Sequence, residues 1–346
     1  MKKVTKFIRN NVKVVVAFIL GGIILGTCGA YASSVISALD VSYSNTSSGI
    51  SSTNVQGAID ALYTKAKDAE SKCPDGYTCT KKQLQLMCKR ATTLHKEVCT
   101  NSSTSSYCQA DGYALNSQIE YGSLGTKGTL ASGDAFDCDV NGDGTYDPAT
   151  ERFYYVSDAT NGITTDSNTA VLIYYNNVSA GVSSNSTTYA YDSSNKNYYG
   201  PRTAIKQLPT TSQWKTRLTN TKRQITAREG TTSTNESSLP VFSYEGYAAR
   251  LLTYQEVYNG CYDGTTNITS TKGLSTRCSF LMENTKYSNE SNKAYGEWLE
   301  SPRANSYSNV WRVHCTSRCV SNIIANYTSH SGVRPAIEVP KSNISY

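Results

Sequence analysis

Between Val14 and Leu39 the chain carries no charged side chain, and Lys2, Lys3, Lys6, Arg9 and Lys13 precede that stretch with no acid before Asp40. A positive start, an apolar core and the small-residue site Ala30-Tyr31-Ala32 are the parts of a secretory leader. The uncharged run is also long enough to span a bilayer if it is not cleaved, with the basic end in the cytoplasm. Residues 1–32 are therefore expected to be a signal peptide or a membrane anchor. In either form they deliver the rest of the chain to the outside, where cysteines oxidise.

The cysteine pattern agrees with that compartment. Of 11 cysteines, Cys28 lies in the leader. The remaining even set is Cys73, Cys79, Cys88, Cys99, Cys108, Cys138, Cys261, Cys278, Cys315 and Cys319, which suits disulfides. No C-x-x-C spacing occurs among them, which argues against a zinc ribbon. The expected arrangement is a tight Cys73–Cys79 loop around Pro-Asp-Gly, a helical Cys88–Cys99 region and a bond from Cys261 to Cys278. By elimination Cys108 pairs with Cys138. Removing the five basic residues of the leader from the 33 in the chain leaves 28 against 27 acids. That near-neutral balance speaks against a nucleic-acid partner.

Residues 33–72 form a Ser/Thr-rich spacer followed by "NVQGAIDALYTKAKDAES", in which Val55, Ile59, Leu62, Ala66 and Ala69 alternate at spacings of four and three. This predicts a heptad helix capped by Thr53 or Asn54. At under three heptads it is marginal alone, so it either forms a homo-oligomer through residues 54–72 or packs on the domain C-terminal to it. Residues 73–108 read as a cysteine-stapled neck in which His95 sits on the surface. From 109 to 346 the composition turns to Tyr, Ser, Thr, Asn and Gly. Here "RFYYVSD", "AVLIYYNNVS" and "LPVFSY" read as strands. Thr210-x-x-Gln213 and Thr253-x-x-Glu256 read as capping boxes that start helices.

The ordered motifs "YAARLLTYQEV", "YGEWLESP", "NVWRV" and "GVRPAIEV" resemble the C-terminal signature of bacterial surface domains in the formylglycine-generating-enzyme branch of the C-type lectin-like fold. The spacer and heptad helix resemble stalk segments of phage fibres and bacterial surface proteins. The implied fold class is α+β: an N-terminal signal or anchor helix, a short coiled-coil stalk, and a β-rich lectin-like head. The same architecture carries the variable tract of retroelement-diversified proteins. There, adenine-directed mutation of AAC codons excludes Lys, Glu, Gln, Met and Trp, and residues 304–333 contain none of the five except Trp311. The resemblance implies a contact surface built from this tract.

Strand alternation in "NVWRVHC" sends Trp311, Val313 and Cys315 to one face and Arg312 and His314 to the other. The first set is expected in the core and the second in solvent. With Asn305, Tyr307, Asn309, Arg318, Asn322, Asn326, Tyr327 and His330 they make the candidate ligand-binding set, since Tyr, Arg and Asn are favoured paratope residues. The alternative is a solvated polar loop. The expected partner is an extracellular protein or glycan. Replacing Arg312, His314, Arg318 and Tyr327 is expected to leave stability unchanged.

Two motifs invite chemistry. Cys315 and Cys319 stand where the resemblance implies the redox pair of a copper oxidase, but with three intervening residues where that enzyme has four. A short disulfide closing a surface loop, or two cysteines that arose in a variable tract, is the preferred reading. "DCDVNGDGTYDPATE" places Asp139, Asn141, Asp143 and Asp147 at positions 1, 3, 5 and 9 of an EF-hand-like loop, with oxygen ligands suited to loosely held calcium. Position 12 is Thr150, and Glu151 falls one residue late; the competing reading is a hairpin turn without an ion. No Ser-His-Asp set or phosphate-cradling glycine loop is present. The function expected is an exported, surface-tethered adhesin or receptor-like protein; an oxidase and a structural envelope or pilus-like subunit are the alternatives.

Overall fold

The computed structural model describes residues 41–42, 52–70, 87–100, 113–229, 232–234, 239–274, 278–287, 293–314 and 318–346. Contacts divide the chain into two compact units, Met1–Cys79 and Thr80–Tyr346. The leader, Cys73, Cys79, Cys108 and Cys315 lie outside the described residues. Among the described residues no helix is long and apolar enough to cross a membrane.

In the first unit the heptad spacing is realised as the helix Val55–Glu70. Asn54 caps it: its Oδ1 accepts the Gly57 N–H at 2.8 Å, the bond that satisfies an orphan amide of the first turn. Ile59, Leu62 and Tyr63 are exposed in the single chain.

The second unit is β-rich with few helices, in keeping with an α+β head. Its central sheet runs in the order Ala336–Pro340, Thr165–Tyr174, Arg152–Thr160, Ala135–Cys138, Cys88–Arg90, Ile344–Ser345. The runs "RFYYVSD" and "AVLIYY" fill the two long central strands, which pair antiparallel with Tyr154 opposite Ile173. Arg152–Thr160 and the second half of its partner, from Thr169 to Tyr174, are buried on both faces. Phe153, Tyr155, Leu172 and Tyr174 enter one apolar cluster, and Tyr154, Val156, Val171 and Ile173 enter another. That is why they read as continuous apolar stretches with no polar alternation.

The two edge strands of this sheet are separated in sequence only by the 3-10 turn Lys341–Asn343. Six flat strands would hold the edges about 24 Å apart, whereas the four peptide steps from Pro340 to Ile344 span at most about 14 Å. The sheet therefore curls until its edges approach each other. A four-stranded sheet, in the order Cys319–Ile324, Asn309–His314, Gly296–Pro302, Ser331–Gly332, carries "GEWLESP" and "NVWRV".

Buried ion pairs join C-terminal motifs to one another. Arg250 of "YAAR", fully buried, donates to Glu256 of "TYQE" at 2.8 Å and to Glu338 of "AIEV" at 2.6 Å. Arg223 and Tyr244 donate to Glu300 of "WLES" at 3.0 and 3.1 Å. Arg334 of "GVRP" lies 3.4 Å from Glu297 of "GEW". Charges this deep persist only when partnered, and these pairs tie "YAARLLTYQEV", "YGEWLESP" and "GVRPAIEV" to one another.

Several expectations fail in this unit. Residues 88–99 are not helical: Cys88–Arg90 and His95–Val98 are strands. Cys88 lies in register with Cys138 and is bonded to it, which displaces the expected Cys108–Cys138 pairing. Lys and Arg favour helix only weakly, and pairing with a sheet edge overrides that preference. Cys99 is disulfide-bonded, and Cys261–Cys278 forms as expected. His95 is not a plain surface histidine; its Nδ1 is 2.7 Å from Glu283 Oε1 and its Nε2 is 2.7 Å from the Pro148 carbonyl. Thr253 does cap the helix Tyr254–Cys261 through a full capping box. The Thr210 box closes a single turn, because the Lys215 amide goes to the Val140 carbonyl and no helix continues.

Candidate functional site

The strand Asn309–His314 alternates as expected, but its second face is not solvent. Trp311 and Val313 enter the core, with Trp311 Nε1–H donating to the Arg228 carbonyl at 3.0 Å. On the opposite face Arg312 is only 6 % exposed. Its Nη1 donates to Ser331 Oγ at 3.2 Å, and its guanidinium stands 5.3 Å from the Tyr327 ring centre. Tyr327 Oη and His330 Nδ1 are hydrogen-bonded at 2.7 Å, and the His330 ring lies 4.6 Å from that of Tyr295. The expectation that Arg312 is a free surface group is thus corrected. Tyr327 and Ser331, both beyond the strand Cys319–Ile324, cover the guanidinium, and the cation–π contact offsets the burial of its charge.

Arg312, Tyr327 and His330 do converge, as a packed polar layer with His314 beside it. Burial, together with the charges of Arg312 and His330, pushes the His314 imidazole down to about 4. Burial and Arg312 lower His330 in the same sense. Cys319 lies opposite His314 in register. It is a free, buried thiol, so the expected Cys315–Cys319 disulfide is corrected; burial raises its pKa, against Arg312.

The other candidates fall elsewhere. Asn322 lies opposite Trp311 and therefore on that face. Its Oδ1 accepts from Asn309 Nδ2 at 3.1 Å and from Arg303 Nη1 at 3.4 Å, and Arg303 pairs with Glu229 at 3.0 Å. Arg318 is buried, with φ of 47°, and its carbonyl accepts the Leu274 amide. Asn305, with φ of 59°, and Asn326 are exposed. Tyr307 is 85 % exposed.

Those last three sit at an end of the head that the sequence only half reveals. Asn197 is fully buried, and its Nδ2 donates to the carbonyls of Ser306 at 2.6 Å and Asn309 at 2.8 Å. One amide thus clamps the 306–309 turn against the 3-10 turn Asn197–Tyr199. Tyr198 and Tyr307 meet edge to face at 6.2 Å. The Arg202 guanidinium lies 5.0 Å from the Tyr199 ring and bonds Asp192 at 2.7 Å. The Ala325 amide bonds the Ser308 carbonyl and its own carbonyl accepts from Asp192, which brings Asn326 to the same end. The local signal is the tyrosine doublet in "NKNYYGPR"; its partnership with Tyr307, more than a hundred residues away, is not local.

In the acidic loop, Asp139 accepts amides from Gly142, Asp143 and Gly144 at 2.8 to 3.0 Å. Asp143 accepts from Thr145, and Asp147 from Ala149 and Thr150. Asn141 Nδ2 donates to Asp143 at 3.0 Å. Among the described residues no three His, Cys, Asp or Glu groups stand assembled around one point. Compared with protein-family models, with curated proteins and with solved structures, the chain matches none.

Proposed function

We propose that this chain is an exported, surface-tethered binding protein whose head recognises an extracellular protein or glycan through the tip formed by Tyr307, Tyr199, Asn305 and Asn326. The observation that carries this reading is Tyr307, a large aromatic 85 % exposed on a turn clamped by the buried Asn197. Aromatic area that is already ordered is what recognition uses, because binding then costs little conformational entropy. The disulfides Cys88–Cys138 and Cys261–Cys278 support export, and the leader supplies the tether. The head is read as lectin-like on the strength of its motif order, and the exposed positions within 304–333 are those a diversified tract would vary.

Fluorescently labelled full chain on an array of immobilised glycans and extracellular proteins tests the proposal. Tyr307→Ala with Tyr199→Ala is expected to lower the retained signal at least tenfold. Equal signal from wild type and variant would remove the tip from recognition. The exposed Ile59 and Leu62 favour self-association through the heptad helix as part of the same design.

A further inference from the structure

Position by position, the loop after Ala135–Cys138 is wound as a cation loop is wound. Asp139, Asn141 and Asp143 alternate, and Gly144, sixth in the loop, has φ of 85°, the left-handed conformation that the sharp turn of a calcium loop takes from glycine. Winding alone identifies no ligand. The observation that does is Glu151.

Glu151 is 2 % exposed. Its Oε2 accepts the Asp147 amide at 3.0 Å, while its Oε1 is buried with no hydrogen-bond partner. A carboxylate oxygen left without a donor in the interior is costly. Glu151 Oε1 is therefore an open acceptor beside the loop, although in this structure the loop's acids do not stand around one point. Chain geometry explains how a residue one place late reaches the loop. The Asp147 carbonyl accepts the amides of both Thr150 and Glu151, at 3.2 and 2.7 Å, so residues 147–151 make one helical turn that swings Glu151 back over the loop. Thr150, at the usual closing position, is occupied in donating to Asp147 Oδ2 at 2.8 Å.

We propose that this loop is a calcium site in which Glu151 closes the oxygen shell begun by Asp139, Asn141 and Asp143. The donors are all hard oxygens, which suits calcium and excludes the softer metals that histidine and thiolate select. Without the cation the carboxylates repel one another and turn to backbone amides; with it they draw together. The loop is tied to the head: the Cys88–Cys138 bond precedes Asp139, His95 reaches the Pro148 carbonyl, and Tyr174 Oη–H donates to the Thr150 carbonyl at 3.0 Å. Binding there raises the stability of the whole head by linkage.

The test is calorimetry and thermal unfolding of chelator-stripped full chain with calcium chloride, and magnesium chloride as the control. Wild type is expected to release heat and unfold at higher temperature with calcium, and to respond less to magnesium. Glu151→Gln and, independently, Asp143→Asn are each expected to weaken calcium binding at least tenfold. Asp143 is exposed, so its variant keeps the test decisive if the Glu151 variant fails to fold. Absence of any calcium response in wild type would overturn the site. Undiminished affinity in a folded Glu151→Gln or Asp143→Asn variant would overturn the assigned shell.

Discussion

Glu256 carries two tasks, and only one of them is written locally. As the fourth residue of Thr253-x-x-Glu256 it accepts the Thr253 amide at 2.8 Å, and that capping box is legible in the sequence. The same carboxylate also neutralises the buried Arg250 and accepts the Thr160 amide at 3.0 Å; its partners lie up to 96 residues away, so no local pattern announces them. Arg312 illustrates the same limit from the other side. Its alternation away from Trp311 is readable, but its cover by Ser331 and Tyr327 is not. Two ionisable groups here give opposite pH dependences. Burial raises Glu297 to about 7, against the pull of Arg334. A carboxyl raised in the folded state contributes stability that is complete below its unfolded value near 4.5 and is lost as pH climbs through about 7. The shift corresponds to roughly 3 kcal/mol at most. His314, lowered to about 4, contributes stability that is present above its unfolded value of 6.5 and is lost as pH falls toward 4. Between pH 4.5 and 6.5 the two oppose each other, so single variants separate them. Glu297→Gln is expected to flatten the loss of denaturation free energy between pH 5 and 8, and an unchanged slope would show that Glu297 titrates normally. NMR titration of the His314 ring is expected to give a midpoint near 4; a midpoint near 6.5 would mean that the polar layer is open to water.

At the scale of elements, the strands with the strongest apolar runs are legible, because their aromatic and β-branched residues, bounded by turn residues, favour strand over helix where burial on both faces erases the period. The strands Cys88–Arg90 and His95–Val98 are not, since they owe their conformation to their partners in the sheets and not to their own residues. Arg250 is the joint between three segments: the chain before the capped helix, the helix itself and the strand Ala336–Pro340. Arg250→Ala leaves Glu256 and Glu338 buried without their cation, and chemical denaturation is expected to show a loss of about 3–5 kcal/mol. A loss under about 1 kcal/mol would mean that these carboxylates find other partners. The helix Val55–Glu70 makes a separate prediction. Ile59→Asp with Leu62→Asp is expected to convert an oligomer to monomer by light scattering if that stripe is a seam, and an unaltered mass would leave the stripe without that role.

For the whole molecule, the α+β class and the Cys261–Cys278 bond are legible, whereas the curled sheet and the Cys88–Cys138 bond need the fold. That bond closes a 50-residue separation, which in the chain-entropy account stabilises by about 4 kcal/mol. Non-reduced peptide mapping is expected to recover both crosslinks, and a free thiol at Cys88 would contradict the register of the sheet. The central claim is that recognition belongs to the exposed tip and stability to the polar layer beneath it. Of the residues singled out in the sequence, Asn305, Tyr307 and Asn326 fall at the tip and Arg312, His314, Tyr327 and His330 in the layer, whereas Asn309, Arg318 and Asn322 belong to neither, because strand alternation gives the side of a sheet and not what covers it. The direct measurement is attachment and unfolding temperature, taken together, for two variants on the same immobilised array. Tyr307→Ala with Tyr199→Ala is expected to lose attachment at least tenfold while costing under about 0.5 kcal/mol per exposed site. Arg312→Ala is expected to lower the unfolding temperature by several degrees, consistent with about 2 kcal/mol. A tip variant that attaches like wild type, beside an Arg312→Ala protein that is fully stable and no longer attaches, would contradict the account.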